Sequence, residues 1–168
     1  MPEKNVTDNK PAVRELVITR ILDAPRKLVW KAWTDVELFK KWWGPKDYTC
    51  PVSKMDFRVS GKYLHCMRSL DGQEYWSTGV YQEIIPMEKI VCTDSFADAQ
   101  GNAISASEMG MPGDDWPSEL HVTVTFEDLG TKTKMTLRHV GIPEGVMNEM
   151  TNAGWNQSFD KMNEALQR

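Results

Sequence analysis

The stretch PEGVMNEMTNAGWNQSFDKMNEALQR, residues 143–168, decides the fold. Val146, Met147, Met150, Gly154, Trp155, Phe159, Met162 and Leu166 recur at helical spacing along one broad stripe. Glu149, Asn152, Asp160, Lys161 and Glu164 lie largely on the other side. The period predicts one long helix over Glu144–Gln167 with Trp155 and Phe159 buried. Such a helix needs a surface to bury its stripe against, and the preceding sequence supplies strands.

Immediately upstream, Leu120, Val122, Val124 and Phe126 alternate cleanly, and Met135 and Leu137 continue the pattern after a turn at Gly130. Further back, Thr49–Phe57, Gly61–Ser69, Gln73–Ile85 and Lys89–Phe96 read as strands separated by Ser60-Gly61, Asp71-Gly72 and Pro86. Asp71-Gly72 is a strong hairpin signal, because both residues tolerate positive φ. A first strand, Glu15–Leu22, is closed by Asp23-Ala24-Pro25. Leu28, Val29, Ala32 and Trp33 then share a helix face, and Thr34-x-x-Glu37 has the form of a capping box opening a second short helix that stops at Gly44-Pro45. Adjacent strands joined by short turns imply an antiparallel sheet. The predicted class is α+β: a curved antiparallel sheet of six to seven strands wrapped around a long C-terminal helix, with two short helices after the first strand. Residues 1–12, polar and aperiodic, are expected to form a flexible tail, and residues 13–168 a single domain.

Composition bounds the function. A chain of 168 residues, 40% hydrophobic and 26% charged, is that of an ordinary globular protein. No apolar run approaches the roughly 20 residues of a membrane span. The N-terminus is polar where a signal peptide would carry an apolar segment, so a cytoplasmic location is expected. Cys50, Cys66 and Cys92 are odd in number and widely spaced, which points to buried thiols rather than a disulfide framework or zinc site. Lys and Arg are dispersed and the net charge is −4, without the basic footprint of a nucleic-acid binder. No phosphate loop, dinucleotide fingerprint, Gly-x-Ser-x-Gly elbow or His-Glu-x-x-His helix occurs, so neither a cofactor nor a metal is expected.

One helix about 10 Å across seldom fills the concave side of a curled sheet, so the layout predicts an apolar pocket between them. Seven Trp and ten Met suit such a pocket, Met because it adapts to irregular shapes. Ala97–Glu119 is far longer than a hairpin needs and carries Met109, Met111 and Trp116 among Gly, Ser and Asp. It is expected to fold over the pocket as a gate, with Gly101, Gly110 and Gly113 giving backbone freedom. His139 shares parity with Met135 and Leu137 and should face the pocket, whereas His121 should face away. Parity alone leaves the face of His65 open. His139 is the candidate general acid or base, with Tyr63, Tyr81 or Asp94 as possible partners. Asp56 and Glu83 read as solvent-facing strand carboxylates.

Ala24-Pro25-Arg26-Lys27-Leu28-Val29-Trp30, Ala32-Trp33-Thr34, Trp42-Trp43-Gly44-Pro45, Met55-Asp56-Phe57-Arg58, Gly79-Val80-Tyr81-Gln82-Glu83-Ile84 and Gly154-Trp155 together resemble the SRPBCC (START-like) superfamily. The closer resemblance is to the branch named after the activator of the ninety-kilodalton heat-shock protein's ATPase, over roughly residues 14–168. Val59-Ser60-Gly61 stands where this branch often has Pro-Gly-Gly. The resemblance implies a helix-grip fold with a deep hydrophobic cavity. Members of the wider superfamily bind lipids, sterols, polyketides and plant hormones, and some are cyclases. The co-chaperone that named the branch has an additional N-terminal domain without counterpart in these 168 residues, which makes a chaperone partner the weakest reading.

Residues and resemblance together lead to an expected lining of Trp43, Tyr63, His65, Met67, Trp76, Phe96, Met109, Met111, Trp116, His139, Met147, Met150 and Trp155. The leading reading is a module that binds a hydrophobic or aromatic small molecule of lipid, polyketide or flavonoid type. The alternatives are a cyclase-, aromatase- or hydrolase-type enzyme in the same cavity, and a modulator of a heat-shock-protein ATPase.

Overall fold

The computed structural model describes residues 14–111 and 116–167. The expected tail, residue 13 and the hinge glycine Gly113 lie outside the described residues. Seven strands form one antiparallel sheet: β1 (Glu15–Leu22), β2 (Thr49–Met55), β3 (Lys62–Arg68), β4 (Glu74–Ile85), β5 (Lys89–Ala97), β6 (Leu120–Asp128) and β7 (Thr133–Val140). Their spatial order is β1-β7-β6-β5-β4-β3-β2, a meander from β2 to β7 with the first strand added beside the last. The helices are α1 (Arg26–Thr34), α2 (Val36–Phe39), α3 (Ala106–Met109) and α4 (Val146–Ala165). This is the predicted α+β architecture, with α3 as an additional element inside the long connection.

Alternation explains the strands. In β6, Leu120, Val122, Val124 and Phe126 are buried, and across the pairing so are Met135, Leu137 and His139 of β7. β1 closes on β7 with Leu16 opposite His139 and Ile18 opposite Leu137, so its inward side chains complete the same face. Against this face pack α4, through Phe159 and Met162, and α1, through Val29, Ala32 and Trp33. Trp33 lies at the centre, 4.8 Å from the ring of Trp42 and 6.2 Å from that of Phe159. Its indole N–H donates to Met135 Sδ at 3.3 Å. The Trp42 N–H donates to the carbonyl of Ala32 at 2.9 Å, which folds the chain after α2 back onto α1.

Two local expectations are corrected. Thr34 does not cap α2: it is the last residue of α1, its hydroxyl donating to Trp30 O at 3.0 Å. Only Asp35 takes extended backbone, and its carboxylate accepts from Leu38 N at 3.2 Å as the true cap. In the Asp71-Gly72 hairpin only Gly72 adopts positive φ. In the divergent turn at Val59-Ser60-Gly61, Ser60 takes a left-handed backbone, φ 74°. Gly61 has no alternative, since a Cβ there would stand 1.9 Å from Asp56 O.

Candidate functional site

Sheet register builds the site. Asp94 of β5 is paired with Leu120 of β6, and Val122 of β6 with His139 of β7. Leu120 and Val122 share a face, so Asp94 and His139 project from that face on either side of β6. By the same reasoning Tyr63, His65 and Met67 of β3 share the concave face with Tyr75 and Ser77 of β4 and Phe96 of β5. Between this face and α4 lies a cavity of about 350 Å³.

Its walls come from four sources. The sheet contributes Met67, Tyr75, Trp76, Ser77, Asp94, Ser95, Phe96, Leu120 and His139. The helix contributes Met147, Met150, Thr151, Gly154, Trp155 and Ser158. The segment after α2 contributes Trp43, Gly44, Pro45 and Tyr48, and the long connection Met111 and Trp116, with Ile142 leading into the helix. Trp116 packs edge-on against Phe96, ring centroids 5.3 Å apart. Lys161 fastens the wall after α2 to the helix, its ammonium donating to the carbonyls of Gly44, Pro45 and Tyr48 at 2.8, 3.2 and 3.0 Å.

Of the expected lining, Trp43, Met67, Trp76, Phe96, Met111, Trp116, His139, Met147, Met150 and Trp155 border the cavity. Tyr63, His65 and Met109 do not. Tyr63 is buried, its ring lying against Gly79 and its hydroxyl donating to Thr93 O at 2.7 Å. His65 is buried between Tyr63 and Phe39, ring centroids 4.5 and 4.2 Å away, and its Nδ1 lies 3.0 Å from Ser53 Oγ. Met109 ends α3, a turn set by a Ser105–Glu108 capping box and a left-handed Gly110, and only Met111 beyond it reaches the wall. Trp155, expected to be buried, is partly exposed because it forms part of the wall. Thr151, Gly154 and Ser158, not anticipated as lining, follow Met147 at helical spacing, and that period was their signal.

The polar end of the cavity is a connected group. The indole N–H of Trp155 donates to His139 Nδ1 at 3.0 Å. Indole is a donor only, so Nδ1 is the acceptor and a neutral His139 carries its proton on Nε2. That Nε2 stands 3.2 Å from Asp94 Oδ2, close but without the alignment of a hydrogen bond. Tyr63 Oη lies 3.4 Å from Asp94 Oδ1. Burial and the neighbouring Asp94 carboxyl push the Tyr63 phenol well up, so it stays a donor. Both ring nitrogens of His139 therefore face protein groups. A general base needs one of them turned toward the substrate. Three of the lining hydroxyls are likewise engaged with backbone: Ser95 donates to Ser118 O, Thr151 to Met147 O and Ser158 to Gly154 O.

No cysteine borders the cavity. Burial pushes the Cys50 and Cys66 thiols up to about 11 and that of Cys92 to about 12, so all three are protonated at neutral pH. Among the described residues no three His, Cys, Asp or Glu side chains are grouped to hold a metal ion. No described helix is long and apolar enough to cross a membrane.

The family model of activator of Hsp90 ATPase homolog 1-like proteins matches residues 23–167. Among solved structures, protein CV1439 from Chromobacterium violaceum is similar at 28% identity and a TM-score of 0.75, over 92% of this chain and 98% of that one. A protein from Arthrobacter aurescens matches at 25% identity and a TM-score of 0.75, over 91% and 86% of the two chains. The AHSA1 protein SPO3351 from Silicibacter pomeroyi shares the fold at 20% identity and a TM-score of 0.72, over 91% and 97%. No curated protein matches the sequence.

Proposed function

The chain belongs to the activator of Hsp90 ATPase homolog 1-like family, and from that premise we propose that it binds one hydrophobic, ring-bearing small molecule between α4 and the sheet. The observation that carries this reading is the apolar cavity of about 350 Å³ with a single polar end. An apolar cavity of about 150 Å³ accommodates one benzene ring. A volume a little over twice that suits two or three linked or fused rings, as in flavonoid- or polyketide-like compounds, better than a two-chain lipid. Met67, Met111, Met147 and Met150 at the wall adapt their shape to such a body. That Nδ1 of His139 accepts from Trp155 and that its buried Nε2 faces Asp94 rather than the cavity weighs for binding over turnover.

Trp43, Trp116 and Trp155 border the cavity and report on its occupant. Titrating the protein with flavonoid-like and polyketide-like compounds should quench Trp fluorescence saturably with one-to-one stoichiometry. Absence of saturable quenching across such a panel, with no chemical-shift change at the wall residues by NMR, would end this reading. The family name supports a second one, modulation of a heat-shock-protein ATPase. It is tested by adding the protein to the chaperone's ATPase assay and looking for stimulation.

A further inference from the structure

We propose that Asp94 selects the ligand: the molecule held in the cavity presents a hydrogen-bond donor, a hydroxyl group on its ring system, and carries no negative charge. This rests on the cavity being a binding site, as proposed above. Of the described residues bordering it, Asp94 alone has a carboxyl group, and no Lys or Arg is among them. An ionised carboxylate only accepts hydrogen bonds, at about four lone-pair positions. Those of Asp94 are poorly used: Tyr63 Oη stands 3.4 Å from one oxygen, and His139 Nε2 stands 3.2 Å from the other without alignment.

Access points the same way. The Asp94 side chain is 24% exposed and that of His139 only 7%, with its Nε2 closed to solvent. A ligand therefore reaches the Asp94 carboxyl, while the Nε2 of His139 stays closed to it although the ring borders the cavity. His139 is a positioning residue, locked by the indole of Trp155 and braced against Oδ2. An apolar ligand that covers Asp94 takes its exposed oxygen lone pairs out of water, which is costly, and a ligand hydroxyl offsets that cost by donating to them. A ligand carboxylate would instead bring a second anion beside Asp94 in a wall with no Lys or Arg among its described lining residues. The Lys161 ammonium is held by the carbonyls of Gly44, Pro45 and Tyr48, and repulsion beside Asp94 is several times stronger than in water.

The test is isothermal titration calorimetry of the whole protein at neutral pH with three two-ring probes: 2-naphthol, naphthalene and 2-naphthoate. Naphthol should bind about ten- to a hundredfold more tightly than naphthalene, as expected for a hydrogen bond to a charged group, with naphthoate weakest. By NMR the Trp155 side-chain N–H signal, which any ring in the cavity shifts, should move further with naphthol than with naphthalene, because Trp155 is coupled to Asp94 through His139. In Asp94→Asn the penalty on naphthoate should shrink by about tenfold. The wild-type ranking stands as a test even if that variant does not fold. Equal affinities, or naphthoate as the tightest probe, would overturn the role of Asp94 and leave the binding reading intact. Equal movement of the Trp155 signal with naphthol and with naphthalene would overturn it too. Failure of all three probes to bind would sink the cavity as a ring-binding site, and the role of Asp94 with it.

Discussion

His65 and His139 stand on the same curved face, yet they differ in what covers them. His65 lies under Phe39 and Trp43, and burial pushes its imidazole down to about 3. The native ring stays neutral while an unfolded one takes up a proton near 6.5. The stabilisation is therefore full above pH 6.5 and is lost progressively as pH falls toward 3. Between pH 7 and pH 5 the loss from this residue should be about 2 kcal/mol. Urea unfolding at both pH values checks it: His65→Gln should be less stable at pH 7 but should lose about 2 kcal/mol less than wild type on acidification. An identical pH dependence of the two would mean that His65 protonates freely in the native state. Parity placed His139 with Met135 and Leu137, but it could not tell that Tyr63 and His65 are buried outside the cavity lining. The reason sits in Gly79, where a Cβ would stand 2.0 Å from Thr93 O and 2.6 Å from the Tyr63 ring. The missing side chain lets the ring lie across β4 and reach Thr93 O, and an isolated strand glycine does not announce that role.

Along α4 one apolar stripe performs two tasks. Phe159 and Met162 are fully buried in the core, whereas Met147, Met150 and Trp155 border the cavity. Helical period identified the stripe but not the change of neighbour along it, because periodicity reports which side is apolar and not what it meets. Val146, counted in the stripe, is 67% exposed at the first turn, and Met150 is 61% exposed at the cavity rim. The two halves should respond differently to truncation. Phe159→Ala removes a wholly enclosed ring and should cost about 3–5 kcal/mol. Met150→Ala should stay within about 0.5 kcal/mol of wild type, as expected where little area is buried. Chemical denaturation of both variants checks the contrast. A small loss for Phe159→Ala would place that ring on a wall able to collapse rather than in a packed core.

At the scale of the molecule, element order was legible because every strand and helix carries its own period. Which side chains converge was not, since it depends on register. The pairing of β5, β6 and β7 that joins Asp94 to His139 spans 45 residues of chain and has no local signature. The long connection shows the same division: its length and its Met and Trp content marked it, while α3 and the bridge between Ala97 and Ala103 emerge only in the fold. Trp116 links that connection to the cavity wall, edge-on to Phe96 and partly exposed. A Trp in a solvent-facing connection is held by what it covers, and here it covers the end of the concave face where β5 and β6 begin to part. If it acts as a gate, it contributes to retention of a ligand more than to folding. Trp116→Ala should then raise the ligand off-rate and weaken affinity by about tenfold, while the melting temperature falls by no more than about 4 °C, the shift that roughly 1 kcal/mol produces in a domain of this size. Stopped-flow Trp fluorescence and a thermal melt read the two quantities on one sample. A large drop in melting temperature with an unchanged off-rate would make Trp116 a fixed cap on the core, and the connection would then be part of the scaffold.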